Sequence, residues 1–202
     1  PKTTYELLGE SPASVYTDDV LASFKDTEVA IVMFSRMAGE SHDLLPEYKD
    51  SDGAIIGMLE LSANERDMMT LVKKYKDSGC FKKIIVLVNS SNAIEMDFLN
   101  PEICGEDYGI DSAMWIGDVG QTGINGVAQL LAGEVTPSGS LVDSYLYDNM
   151  ANPAMYNFYT QAYPNAADYN LLTDGPDVQG MYSVYQEGIY LDYRYYETRY
   201  ED

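Results

Sequence analysis

The sequence predicts an α/β fold, a three-layer α/β sandwich around a mostly parallel sheet, and three observations predict it. Val29 to Phe34, Ile84 to Val88 and Ala113 to Ile116 are continuous apolar runs, the pattern of strands covered on both faces, rather than alternating ones. Each run is followed by a polar or Gly-containing turn and then, sooner or later, by a helical pattern. Hydrophobic residues make up 46% of the 202 and charged residues 22%, so the chain can bury a core large enough to hold such layers.

The elements follow in order. A helix from Thr17 to Ser23 precedes the first strand. After Leu61, Ser62 and Glu65 have the S-x-x-E spacing of a capping box, in which each residue satisfies a backbone N–H that the helix leaves unpaired. Met68, Leu71, Val72 and Tyr75 recur at helical spacing behind it, and Gly79 supplies the stop. The second strand is followed by a predicted helix from Ser91 or Asn92 to Leu99, ended by Asn100 and Pro101. A third runs from Gln121 to Leu131 with Ile124, Val127, Ala128 and Leu131 inward. Helices on both sides of a parallel sheet give a flavodoxin-like arrangement, predicted as one domain over 1–202 with its core at about 17–145. Thirteen of the 18 tyrosines lie from Tyr145 onward, without sustained period, so 146–202 is expected to be irregular covering chain. One strand is expected in it, through Gly188 to Tyr196.

Charge and cysteine content exclude several function classes. With 33 acidic and 12 basic residues the net charge is −21, which argues against nucleic acid and against an anionic membrane surface as partners. No run approaches the roughly 18 apolar residues of a membrane span, and no basic-then-apolar leader is visible. The start at Pro1 marks a processed product or an excised piece. Cys80 and Cys104 fit no metal-ligand spacing and read as free thiols, and with one histidine a zinc site is not expected.

In parallel sheets the working loops lie at the carboxyl ends of strands. Three segments occupy such ends: FSRMAGESHD (34–43), NSSN (89–92) and GDVGQTG (117–123). The last lacks both G-x-G-x-x-G and a Walker lysine, so its glycines read as a tight turn and close helix packing rather than a phosphate cradle. A receiver-type acidic pocket is missing, because the strands run into Ser, Asn and Gly. A flavin phosphate loop would not carry the Arg36 and Glu40 of the first segment. Glu40 is the candidate acid: it follows a glycine in a strand-end loop, with Arg36, His42 and Asp43 nearby. A general acid at neutral pH needs burial or a second carboxylate to hold its proton. From spacing alone, a solvated loop carboxylate is the competing interpretation.

Four segments together resemble glycoside hydrolase family 3, in its α/β-sandwich domain. RMAGESHD resembles the family's R-x-S-G-E-G-x-D-R loop, with Arg36, Gly39, Glu40 and Asp43 matching. LSANERDMMTLV resembles the helical segment after it, and 115–141 resembles the W-x-x-x-P-G-Q-E-G-G…P-S-G-R-L signature. EGIYLDYRYYET (187–198) resembles E-G-I-Y-V-G-Y-R-Y-Y-D. The resemblance implies Glu40 as general acid/base, with Arg36, His42 and Asp43 positioning the loop or meeting sugar hydroxyls. It also implies a retaining β-glycosidase, β-glucosidase-like, acting on a carbohydrate substrate with no metal or other cofactor. The nucleophile of that family is an aspartate on a separate (β/α)8 barrel, which needs about 250 residues and has no room here. The expected partner is therefore the barrel domain of a parent enzyme, and the chain alone is expected to be inactive. Ala38, Ser41 and Leu44 stand where the loop motif has serine, glycine and arginine. They support the alternative, a noncatalytic binding or assembly module of the same fold.

Overall fold

The computed structural model describes residues 10–38, 44, 47–49, 55–157, 165 and 184–199, and divides the chain into two compact units, Pro1–Tyr147 and Asp148–Asp202. The first unit holds, in chain order, α1 (Asp18–Ser23), β1 (Val29–Ser35), β2 (Glu47–Lys49), β3 (Ile55–Gly57), α2 (Ala63–Asp77), β4 (Lys83–Asn89), α3 (Pro101–Cys104), β5 (Ser112–Trp115) and α4 (Ile124–Leu131). The second holds α5 (Tyr193–Thr198).

β1, β4 and β5 form a parallel sheet in the order β1-β4-β5, and β2 and β3 pair antiparallel beside it in sequence. The expected α/β sandwich on a parallel sheet is present. Val32 and Phe34 of β1 and Ile84, Val86 and Val88 of β4 share one core with Met69 and Val72 of α2. That face is sealed by Phe98, whose ring meets Phe34 edge-on at 5.3 Å. The capping box of α2 is complete: the Glu65 N–H donates to Ser62 Oγ and the Ser62 N–H to Glu65 Oε2.

Three expectations need correction. The apolar runs were expected to be doubly buried, but only the central strand β4 is. β1 is an edge strand whose alternate residues Val29, Ile31 and Met33 are exposed, and most of β5 is exposed as well. The helix expected from Ser91 to Leu99 is not formed. Ile94 and Phe98 are buried, but the backbone bonds outward, Glu95 N–H to Leu59 O and Met96 N–H to Leu146 O, leaving one 3-10 turn at Asp97–Leu99. Asn100 and Pro101, read as a stop, instead start α3: the Asn100 side chain accepts the Glu102 N–H, and Pro101 takes the first helical position, where no N–H is needed. Finally, the strand expected through Gly188 to Tyr196 is a turn followed by α5, entered through Asp192 at φ +50°. A tyrosine-rich run has strand propensity, yet among the described residues of the second unit there is no strand to pair with it.

Candidate functional site

The site is built at the carboxyl ends of β1, β4 and β5, which backbone and side-chain bonds hold together. The Arg36 N–H donates to Asn89 O at 3.2 Å, carrying the β1–β4 ladder one residue past the strand. The Ile116 N–H donates to Val88 O, and Trp115 Nε1 donates to Ser90 O at 2.8 Å. Ser90 is fully buried and closes the NSSN turn on itself, accepting the Asn92 N–H and donating to Asn92 O. Asn89 sits between these bonds. Its Nδ2 donates to Ser35 Oγ at 3.4 Å, while its buried Oδ1 has no hydrogen-bond partner.

Of the four candidate residues, Glu40, His42 and Asp43 lie outside the described residues. Arg36 is described, and every one of its five N–H groups is engaged. Nε donates to Met58 O, Nη1 to Ser35 O and Glu65 Oε1, and Nη2 to Glu60 O and Glu65 Oε2. The two bonds to Glu65 are 2.8 and 2.9 Å and form a fork-to-fork pair between largely buried side chains. All five donors of this guanidinium are thus used within the chain. Leu44, where the loop motif has arginine, is 1% exposed and belongs to the buried apolar set.

The GDVGQTG segment is a turn, as its glycines implied. Gly117 and Gly120 have φ near +60°, and a Cβ on Gly123 would stand 2.2 Å from Val119 O. This turn occupies residues expected in the helix, so α4 begins at Ile124; of the residues expected inward Val127 is buried and Leu131 half-buried, while Ile124 and Ala128 are exposed. An apolar cavity of about 770 Å³ lies between α4, the ends of β4 and β5, and the 137–141 segment, with Trp115, Tyr145 and Tyr147 among its walls. Burial, with Asp143 beside it, raises the Tyr145 hydroxyl above the ordinary phenol range. In the second unit Glu187, Tyr190, Tyr195 and Arg199 line a smaller cavity of about 280 Å³.

Sequence reasoning placed Glu65 in a helix cap and missed its second partner, because an ion pair spanning 29 residues leaves no local signal. It also missed Asp111, whose carboxylate accepts from Lys76 Nζ, Lys83 Nζ and the Ile84 N–H. Those bonds, the Lys76 one foremost, hold its pKa well below the usual carboxylate range. Among the described residues no cluster of His, Cys, Asp and Glu could hold a metal ion, and no helix is long and apolar enough to cross a membrane. Both cysteines are free thiols.

The family model for the glycosyl hydrolase family 3 C-terminal domain matches residues 5–193. A β-glucosidase of Ruminococcus albus is 28% identical over 174 residues, which cover 86% of this chain and 14% of that protein. A crystal structure of a β-glucosidase from Paenibacillus barengoltzii superposes with a TM-score of 0.63 at 29% identity, covering 93% of this chain and 16% of that one. The chain thus spans about one-seventh of the length of these relatives.

Proposed function

Because the chain belongs to the glycosyl hydrolase family 3 C-terminal domains, we propose that it supplies the general acid/base of a retaining, β-glucosidase-like glycosidase, with Glu40 in that role. The observation that carries the proposal is the fixed root of the loop. Arg36 opens the matching motif and is tied by five side-chain bonds and one backbone bond to the ends of β1 and β4, the first turn of α2 and the chain before it. An acid that must meet one glycosidic oxygen needs such an anchor, since a misplacement of about 1 Å can lower the rate roughly a hundredfold.

In this mechanism protonated Glu40 donates its proton to the glycosidic oxygen as the aspartate of a (β/α)8 barrel in the parent enzyme attacks the anomeric carbon. The C–O bond to the leaving group breaks and a glycosyl–aspartate ester forms. Glu40, now a carboxylate, takes a proton from water, whose oxygen attacks the anomeric carbon and breaks its bond to the aspartate, releasing the sugar and restoring protonated Glu40 and the aspartate carboxylate. Retention places the two carboxyls roughly 5 to 5.5 Å apart across the scissile bond. His42 and Asp43 orient the loop or bind sugar hydroxyls, and Arg36 takes the positioning role, since its donors are already used.

The experiment is Glu40→Gln in the full-length parent enzyme, assayed on phenyl β-glucoside. A loss in kcat of about 10²–10⁴-fold is expected from removing a general acid. Hydrolysis near the wild-type rate contradicts the proposal and favours the noncatalytic module that Ala38 and Ser41 would suit.

A further inference from the structure

We infer that Glu65 is a positioning residue for the general acid/base, acting through Arg36 on the strand end from which the Glu40 loop departs. The inference rests on the acid/base role proposed for Glu40. Its starting point is that Glu65 does more than a helix cap requires. A capping box is complete with the Ser62 Oγ and Glu65 Oε2 bonds. Here both carboxylate oxygens also receive Arg36, at 2.8 and 2.9 Å, with the two side chains only 9% and 12% exposed.

Stability alone does not account for that pair. Two charges taken out of water recover little more than their desolvation penalty, and an apolar pair of similar volume commonly does as well. What the arrangement supplies is geometry. The Ser62 N–H sets the carboxylate plane at the first turn of α2, a 15-residue helix whose Met69 and Val72 are locked in the core. The carboxylate sets the guanidinium plane, and the guanidinium then gathers Ser35 O at the end of β1 with Met58 O and Glu60 O of the chain leading into α2. Its own backbone N–H binds Asn89 O at the end of β4. Arg36 is four residues before Glu40, so the rigid body of sheet and helix reaches to the base of the loop. A lysine at position 36 would keep the charge but lose the planar fork, and a glutamine at position 65 would keep the cap and part of the pairing.

The test uses the full-length parent enzyme with Arg36→Lys, Glu65→Gln, Glu65→Ala and Glu40→Ala, each rate expressed per folded active site titrated with a mechanism-based inactivator. Aryl β-glucosides with leaving groups from phenol to 2,4-dinitrophenol report how far protonation limits the rate. Misplaced acid predicts a kcat loss of about 10²-fold on phenyl glucoside for Arg36→Lys and Glu65→Ala. On the dinitrophenyl glucoside, which needs no proton, kcat/KM, which reports the glycosylation step, should fall at most a few-fold, while kcat and KM fall together because the base-assisted second step becomes limiting. Glu65→Gln should recover much of the rate. Ser62→Ala serves as a control, because it weakens the cap without touching Arg36; it should lower the melting temperature and leave the leaving-group dependence unaltered. If Glu40→Ala steepens that dependence while Arg36→Lys and Glu65→Ala leave it as in wild type, the inference is overturned and the role of Glu40 stands. If Glu40→Ala itself leaves it flat, both fall.

Discussion

Residues that join distant segments carry most of the specificity of this structure, and Asp111 shows how one does so. Its carboxylate binds Lys76 on α2, Lys83 at the start of β4 and the Ile84 N–H, which fixes where β5 enters the sheet. Because its folded pKa is depressed below the ordinary 3.8, its contribution is fully present above pH 3.8 and fades as the pH falls through the folded value. Asp111→Asn should therefore lower the melting temperature at pH 7, and the gap from wild type should narrow steadily below pH 3.8. A gap that is constant from pH 7 to pH 2.5 would show that the charge is not what stabilises. Arg36 and Glu65 are a second such join. For a buried pair, removal of one partner destabilises by about 3–5 kcal/mol, which is why rates per folded site are needed to separate position from folding.

At the scale of elements, what the sequence made legible was whatever depends on near neighbours. The apolar runs located β1, β4 and β5 to within a residue or two, and the S-x-x-E spacing located α2 and its cap. The 91–99 segment went the other way because Ile94 and Phe98 have helical spacing, while the carbonyls that bind its backbone come from Leu59 and Leu146. No local pattern announces those partners. Strand burial was misjudged for a similar reason: an edge strand and a central one share the same apolar composition, and only the sheet order separates β1 from β4. The turn before α4 gives a test with opposite signs. Gly123→Ala drives a methyl against Val119 O and should destabilise by about 1–3 kcal/mol, as overpacking does. Gly126→Ala, inside α4 with open space around its Cα, should stabilise by about 0.5–1 kcal/mol. Urea unfolding of the two variants checks the pair, and equal effects would mean that the turn is not held by Gly123.

For the whole molecule, family membership was legible because four motif blocks occur in the same order, from Arg36 to Thr198. The proposed site was legible only in part, since Glu40 was named from the motif while the Arg36–Glu65 pair emerged only from the structure. The chain spans about one-seventh of its relatives, and the outer face of β1 presents Val29, Ile31 and Met33 to solvent. On the account proposed above, one of two required carboxylates resides here, so the purified 202-residue chain should show no turnover of aryl β-glucosides. Activity that survives rigorous purification, and is abolished by Glu40→Gln in the same fragment, would show that a complete site lies within it. The most direct measurement of the central claim is the leaving-group dependence of Glu40→Ala in the full-length parent, with sodium azide as external nucleophile. The account predicts that phenyl glucoside hydrolysis collapses while dinitrophenyl glucoside still forms the glycosyl-enzyme, and that azide speeds its release as the β-glycosyl azide. Equal rates for both glucosides, matching wild type and indifferent to azide, would contradict it.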